Sequence, residues 1–244
     1  IHIQRAFTSD WKTFTFNRGV DALPHLPSWV TPNNSRVWAP DVSRLSDGTF
    51  IMYFTAALES RPSLHCVGFA TVARITYSFV SASPTPLICP QSAGGAIDPV
   101  GYVDESRSGD RYIIYKVDGN SIGHGGACGN TIAPIVPNPI MLQRVGADGV
   151  NLIGEQVQIM TNTASDGPYV EAPTLTFMNG NYVLFFSSKC STSTGYDVQY
   201  AVADKITGPY VRHGTLFKTG VKGMTAPGSM DLAINGEKAI WHGN

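Results

Sequence analysis

Apolar residues in this chain come in short runs separated by tight polar turns, with little of the three-to-four-residue spacing of an amphipathic helix. Four stretches stand out: SDGTFIMYFTA at 46–56, SGDRYIIYKVDG at 108–119, NGNYVLFFSS at 179–188 and NGEKAIWHGN at 235–244. In each, a turn glycine (Gly48, Gly109, Gly180, Gly236) leads into a strand rich in aromatic and β-branched residues, which is a hairpin signal. The repeat recurs about every 60 residues, a length that suits units of several strands each, as in the blades of a β-propeller. The fold class expected is therefore all-β, with residues 1–244 as one domain.

The segments preceding the hairpins also correspond: VWAPDVSRLSDG, AIDPVGYVDESRSG, VEAPTLTFMNG and GSMDLAING. Each places an acidic residue near the start of a strand that lines the channel if the units are blades. Asp41, Asp98, Glu171 and Asp231 are then expected to converge on one end of the axis. Pro40, Pro99 and Pro173 are expected to hold these strand starts extended. Glu171 sits in an otherwise apolar run, GPYVEAPTLTF, where a lone carboxylate would be costly to bury. Crowded carboxylates repel, so at least one should bind its proton more tightly than usual, as general acid–base catalysis requires. The plainer alternative is that each carboxylate caps a turn or meets an arginine.

Composition narrows the partners. With 17 Lys+Arg against 18 Asp+Glu and 14% charged residues, there is no basic footprint for nucleic acid or an anionic membrane. No apolar run approaches a membrane-spanning length. Cys66, Cys89, Cys128 and Cys190 contain no CxxC pair, which argues against zinc or thioredoxin-type chemistry. Two disulfides are expected; of the three pairings we take Cys66–Cys89 with Cys128–Cys190. Asn33-Asn34-Ser35 is a glycosylation sequon, and these features together suit a secreted, extracellular protein.

VWAPDV at 37–42, AIDPVGYVD at 96–104, VEAPTL at 170–175 and YDVQYAVADKITGPY at 196–210 together resemble glycoside hydrolase family 43, particularly its secreted fungal members acting on arabinan or xylan. The resemblance runs from about Ile3 to the chain's end. It implies a five-bladed β-propeller, of which this chain supplies most, and inverting hydrolysis of plant cell-wall pentose linkages. α-L-Arabinofuranosides in arabinan or arabinoxylan are the first expectation and β-xylosides the second. By position Glu171 matches the general acid, and Asp98 matches the carboxylate that tunes it. Trp38 and Asp41 fall in a motif beside the sugar pocket, Trp38 being either a stacking platform or a core tryptophan closing a blade.

The family's general base is an aspartate early in the first blade, and nothing before WAPDV matches it. A segment on the order of 40 residues is expected to be missing there. Asp10 and Asp21 lie in no suitable motif, and the base stays unknown. A non-catalytic sugar-binding propeller is therefore the competing class. A monomer, or a chain associated with that N-terminal segment, is expected. No cofactor is required. Pro227 stands where many members carry the histidine of Gly-His-Gly, so a structural calcium has no motif to support it.

The glycine-rich stretch DGNSIGHGGACGN at 118–130 lacks the spacing of a nucleotide loop. It is expected either to rim the pocket, offering Asn120 and His124 to sugar hydroxyls, or simply to be a loop tethered by Cys128. His65 is expected to be structural, and His242 is open to either role. No G-x-S-x-G elbow supports a serine hydrolase.

Overall fold

A computed structural model describes residues 1–233 and 236–243. Asn235 and Asn244 of the fourth hairpin lie outside the described residues. The all-β class holds, in five antiparallel sheets among the described residues. β1 (Ala6–Phe7) and β2 (Thr15–Phe16) make a two-stranded ribbon. β3 (Trp38–Arg44), β4 (Phe50–Leu58) and β5 (Arg61–Val72) form a three-stranded meander. Two four-stranded meanders follow. The first is β6 (Ala96–Val103), β7 (Arg111–Val117), β8 (Ile140–Val145) and β9 (Leu152–Met160); the second is β10 (Val170–Met178), β11 (Asn181–Ser188), β12 (Asp197–Ala203) and β13 (Val211–Phe217). β14 (Gly228–Leu232) and β15 (Ala239–His242) close the order as a pair.

The unbroken apolar runs are explained by stacking of successive sheets. Alternate residues of a strand face opposite sides, so a strand apolar on both faces serves two cores. On β4, Met52 and Phe54 pack with Leu23 and Trp29, while Ile51 and Tyr53 pack with Ile113 and Tyr115 of β7. On β7, Tyr112 and Ile114 turn the other way, toward Leu184 and Phe186 of β11. Val183 and Phe185 of β11 then meet Val198, Met230 and Trp241. Three sheet-to-sheet interfaces are thus built from strand alternation alone. The β10–β11 hairpin turns in two residues, with Met178 paired to Asn181 across Asn179-Gly180, both at positive φ (50° and 83°). An Asn-Gly pair suits that geometry best. Both disulfides form as expected, Cys66–Cys89 and Cys128–Cys190.

The first strand of each of the last four sheets carries the same irregularity. Pairing with the second strand slips between Trp38 and Asp41, Ile97 and Val100, Glu171 and Thr174, and Gly228 and Asp231. Within each slip one non-glycine residue has a left-handed φ: Ala39 (42°), Asp98 (53°), Ala172 (47°) and Ser229 (49°). The next residue is proline in three of the four. The prolines therefore do not hold a plain extended strand. They follow a β-bulge, where a residue without an N–H loses no ladder hydrogen bond. Such backbone costs about 1–3 kcal/mol per residue and tends to occur where a site needs a side chain aimed off the strand.

A candidate active site at the bulges of four strands

The bulges give each strand two inward positions. Trp38, Ile97 and Glu171, just before the left-handed residue, line a cavity of about 650 Å³ together with Ala39, Asp98 and Ser229. Asp41, Val100, Thr174 and Asp231, three residues later, line a separate cavity of about 200 Å³. The four carboxylates therefore do not gather at one mouth. They sort into two pairs, Asp98 with Glu171 and Asp41 with Asp231. Glu171 is the structural counterpart of Trp38 and Gly228, and Asp41 that of Asp231. The expectation for Asp41 is corrected accordingly: it faces the second cavity, where its Oδ2 accepts the Gly101 N–H at 2.8 Å.

In the larger cavity Glu171 is held at both oxygens. Tyr196 donates its hydroxyl to Oε1 at 2.7 Å, and Lys116 Nζ stands 3.4 Å from Oε2. Its side chain is only 12% exposed. Burial pushes the Glu171 carboxyl above the usual range, while Lys116 and the Tyr196 hydroxyl pull against that rise. Asp98 is fixed by the bulges themselves: its Oδ2 accepts the Ala172 N–H at 2.9 Å, and its own N–H donates to Thr55 Oγ1. Burial, then the Glu171 charge, push Asp98 up to about 7, against the opposing pull of Lys116 and the Ala172 N–H. Two carboxyls that both resist ionisation, side by side in a cleft, can share a proton near neutral pH.

The opposite wall is aromatic. Trp38 is 41% exposed, so it is not a core tryptophan; its ring stacks on His65 at 4.0 Å. His65, expected to be structural, is buried in this wall with both ring nitrogens unpaired, and burial followed by Arg36 pushes its pKa down to about 4. Asn120 lies in the lining, as does His242, 3.2 Å from Ser229 Oγ. His124 is exposed and lies outside the lining, and the glycine-rich stretch reaches the cavity through Asp118, Asn120 and Ser121. Cys128–Cys190 braces that loop behind Tyr169, whose hydroxyl lies 3.2 Å from Cys128 Sγ.

Several wall residues carried no flag in the sequence. Lys116 is the last residue but one of the run RYIIYKV, a place where a lysine commonly faces solvent, yet it is fully buried. Asp118, two residues on, lies 3.0 Å from the lysine as an ion pair. Tyr196 was visible only as part of a longer motif, and the need for it is written in Gly228. A Cβ there would fall 1.8 Å from the Tyr196 ring, so the strand gives up a side chain to admit the phenol. The early acids are turn-makers: Asp21 accepts the N–H groups of His2, Ile3 and Leu23, and Asp10 those of Lys12 and Thr13. Among the described residues no three His, Cys, Asp or Glu side chains are placed to hold a metal ion.

Residues 9–233 match the family model of glycosyl hydrolases family 43. The chain is 26% identical to the extracellular endo-alpha-(1->5)-L-arabinanase 1 of Bacillus subtilis (strain 168), over 96% of this chain and 70% of that protein. In structure it is similar to an endo-1,4-beta-xylanase from Bacteroides thetaiotaomicron (TM-score 0.72, 22% identity, covering 98% of this chain and 75% of that one). It is also similar to a Bacillus subtilis arabinanase (TM-score 0.68, 21% identity, covering 98% and 79%). At these identities the structural likenesses establish the fold, and the match to the family model over most of the chain establishes descent: the chain belongs to glycosyl hydrolases family 43 and is a glycoside hydrolase.

Proposed function

We propose that this chain hydrolyses α-L-arabinofuranosyl linkages of plant cell-wall arabinan or arabinoxylan, with inversion at the anomeric carbon, and that it is a secreted enzyme with five sheets arranged as propeller blades. The observation that carries the reading is the cavity in which Glu171 and Asp98 face the Trp38 ring. Glu171 protonates the departing oxygen. Asp98, beside it, makes loss of that proton harder until the glycosidic oxygen takes it. Trp38 supports a sugar face by stacking, and Asn120 is within reach of hydroxyls. The extracellular arabinanase relative supports both the sugar and the secretion, and two disulfides suit the latter. The proposed chemistry invokes no cofactor.

Inversion needs a second carboxylate to activate water, roughly 6.5–9.5 Å from the acid. Asp118 is buried and ion-paired to Lys116, so the base is not assigned to it.

The test is release of reducing sugar from arabinan, xylan, aryl α-L-arabinofuranosides and aryl β-xylosides. Preference for the arabinose-bearing substrates is expected. Preference for the xylosides would replace arabinose by xylose in the same pocket. Sugar binding by calorimetry with no turnover on any substrate would overturn catalysis in favour of a binding role.

A further inference from the structure

The wall residue that the proposed mechanism leaves unused is Lys116. A lysine loses several kcal/mol of hydration when buried, and such a residue is kept only where its charge is paired or used. Lys116 is fully buried, its side chain 1% exposed, on β7 opposite Ile97, the residue preceding Asp98. Its ammonium has four neighbours: Asn120 Oδ1 at 2.8 Å, Asp118 Oδ1 at 3.0 Å, Glu171 Oε2 at 3.4 Å and the face of the Tyr169 ring at 4.0 Å. Asp118, Asn120 and Tyr169 suffice to keep it charged and still. The remaining direction points at the carboxyl group read as the acid.

We propose that Lys116 is a positioning residue that holds the Glu171 carboxyl and stabilises the carboxylate left when Glu171 has given its proton to the leaving group, with Asp118 as the counter-ion that keeps the lysine in place. The proposal rests on the reading of Glu171 as the acid. Three carboxyls (Asp98, Asp118, Glu171) and one ammonium line this cavity with two histidines, His65, which is neutral, and His242, which stacks on the Tyr196 ring; Tyr169 and Tyr196 stay protonated. Asp118 lies against Lys116 as its counter-ion, and Asp98 and Glu171 both resist ionisation. When Glu171 donates its proton, a negative charge appears on oxygens already facing Lys116 and the Tyr196 hydroxyl. Burial drives the acid's pKa upward, and the ammonium opposes that drive. A proton donor tuned by burial alone would hold its proton too tightly to be a good acid at neutral pH.

The experiment is a carbon-13 carboxyl NMR titration of the whole chain, with the Glu171 resonance assigned by its loss in Glu171→Gln. It reads the acid whether or not the sample turns over. Lys116→Met should move the Glu171 midpoint to higher pH, and Asp118→Asn, which leaves the lysine uncompensated, should move it to lower pH. The double variant Lys116→Met/Asp118→Asn removes both buried charges and guards against loss of folding in the single ones. It should also titrate higher than wild type, because the lysine is the nearer charge. In a kcat/KM profile the alkaline limb, where the acid loses its proton, should move in the same directions. A Glu171 midpoint unmoved or lowered in both lysine variants would overturn the proposal, as would shifts of the same sign for Lys116→Met and Asp118→Asn. Failure of the underlying reading shows separately: Glu171→Gln would then keep full turnover on substrates with poor leaving groups.

Discussion

Two cavities on the same four strands, three residues apart in register, each bring together two carboxylates from different strands, yet they are chemically unlike. In the smaller one, burial and then the Asp231 charge push Asp41 up to about 7. Its partners are uncharged, the Gly101 N–H for Asp41 and the Thr174 hydroxyl for Asp231. In the larger one, Asp98 and Glu171 have the same crowding but also an ammonium, a phenol donor and an aromatic wall. Crowding alone raises proton affinity. In the proposed reading, what suits the larger cavity to acid catalysis is the set of groups placed to receive the charge once the proton has gone.

That contrast can be broken experimentally, beginning with the largest effect. Glu171→Gln should lower kcat on natural linkages by about 10²–10⁴-fold while sugar binding persists, whereas Asp41→Asn should leave kcat within a few-fold of wild type. A comparable loss in both variants would erase the distinction between the cavities. Tyr196→Phe removes one hydrogen bond to the Glu171 carboxyl and should lower kcat roughly 10- to 100-fold with little change in KM. Gly228→Ala should act through the same phenol from a residue that never touches substrate. Its Cβ displaces the Tyr196 ring, at a cost of about 1–3 kcal/mol in denaturant unfolding and with a kcat loss in the direction of Tyr196→Phe. Unchanged stability in that variant would show that the strand can shift to make room.

The smallest effect is one of pH. Asp41 has an ordinary pKa of 3.8 and a folded value of about 7, so between them the native state binds the extra proton. Its contribution to stability is full below about pH 4 and is lost as pH rises through 7. Asp41→Asn cannot lose a proton. Its Tm should therefore gain on that of wild type as pH is raised from 4 to 7, and a difference that stays constant with pH would contradict the second pair's burial.

The fold was legible because it rests on alternation: FIMYF, YIIY and VLFF are apolar on both faces, and each serves two cores. Glu171 and Asp98 were legible because a carboxylate among valines and prolines demands a reason. The register was not legible. Aligning the four segments by their acids pairs Asp41 with Glu171, but the chain aligns them by the left-handed residue of a bulge, and only backbone geometry shows that. Lys116 escaped notice for the opposite reason. A lysine near the end of an apolar strand looks like a snorkelling residue, and nothing local reveals that the glutamate of the following sheet lies against it. Gly228 carries its message only in space, since the clash it avoids is with a ring 32 positions earlier in the chain.

The central claim is that Glu171 supplies the proton to the leaving group. The most direct measurement compares Glu171→Gln with wild type across aryl arabinofuranosides whose phenols range from strongly to weakly acidic. The account predicts near-normal turnover where the leaving group needs no proton, and a loss that deepens steadily as the phenol becomes less acidic. A loss of the same size for every leaving group would contradict it, and Glu171 would then be a residue that shapes the pocket without donating its proton.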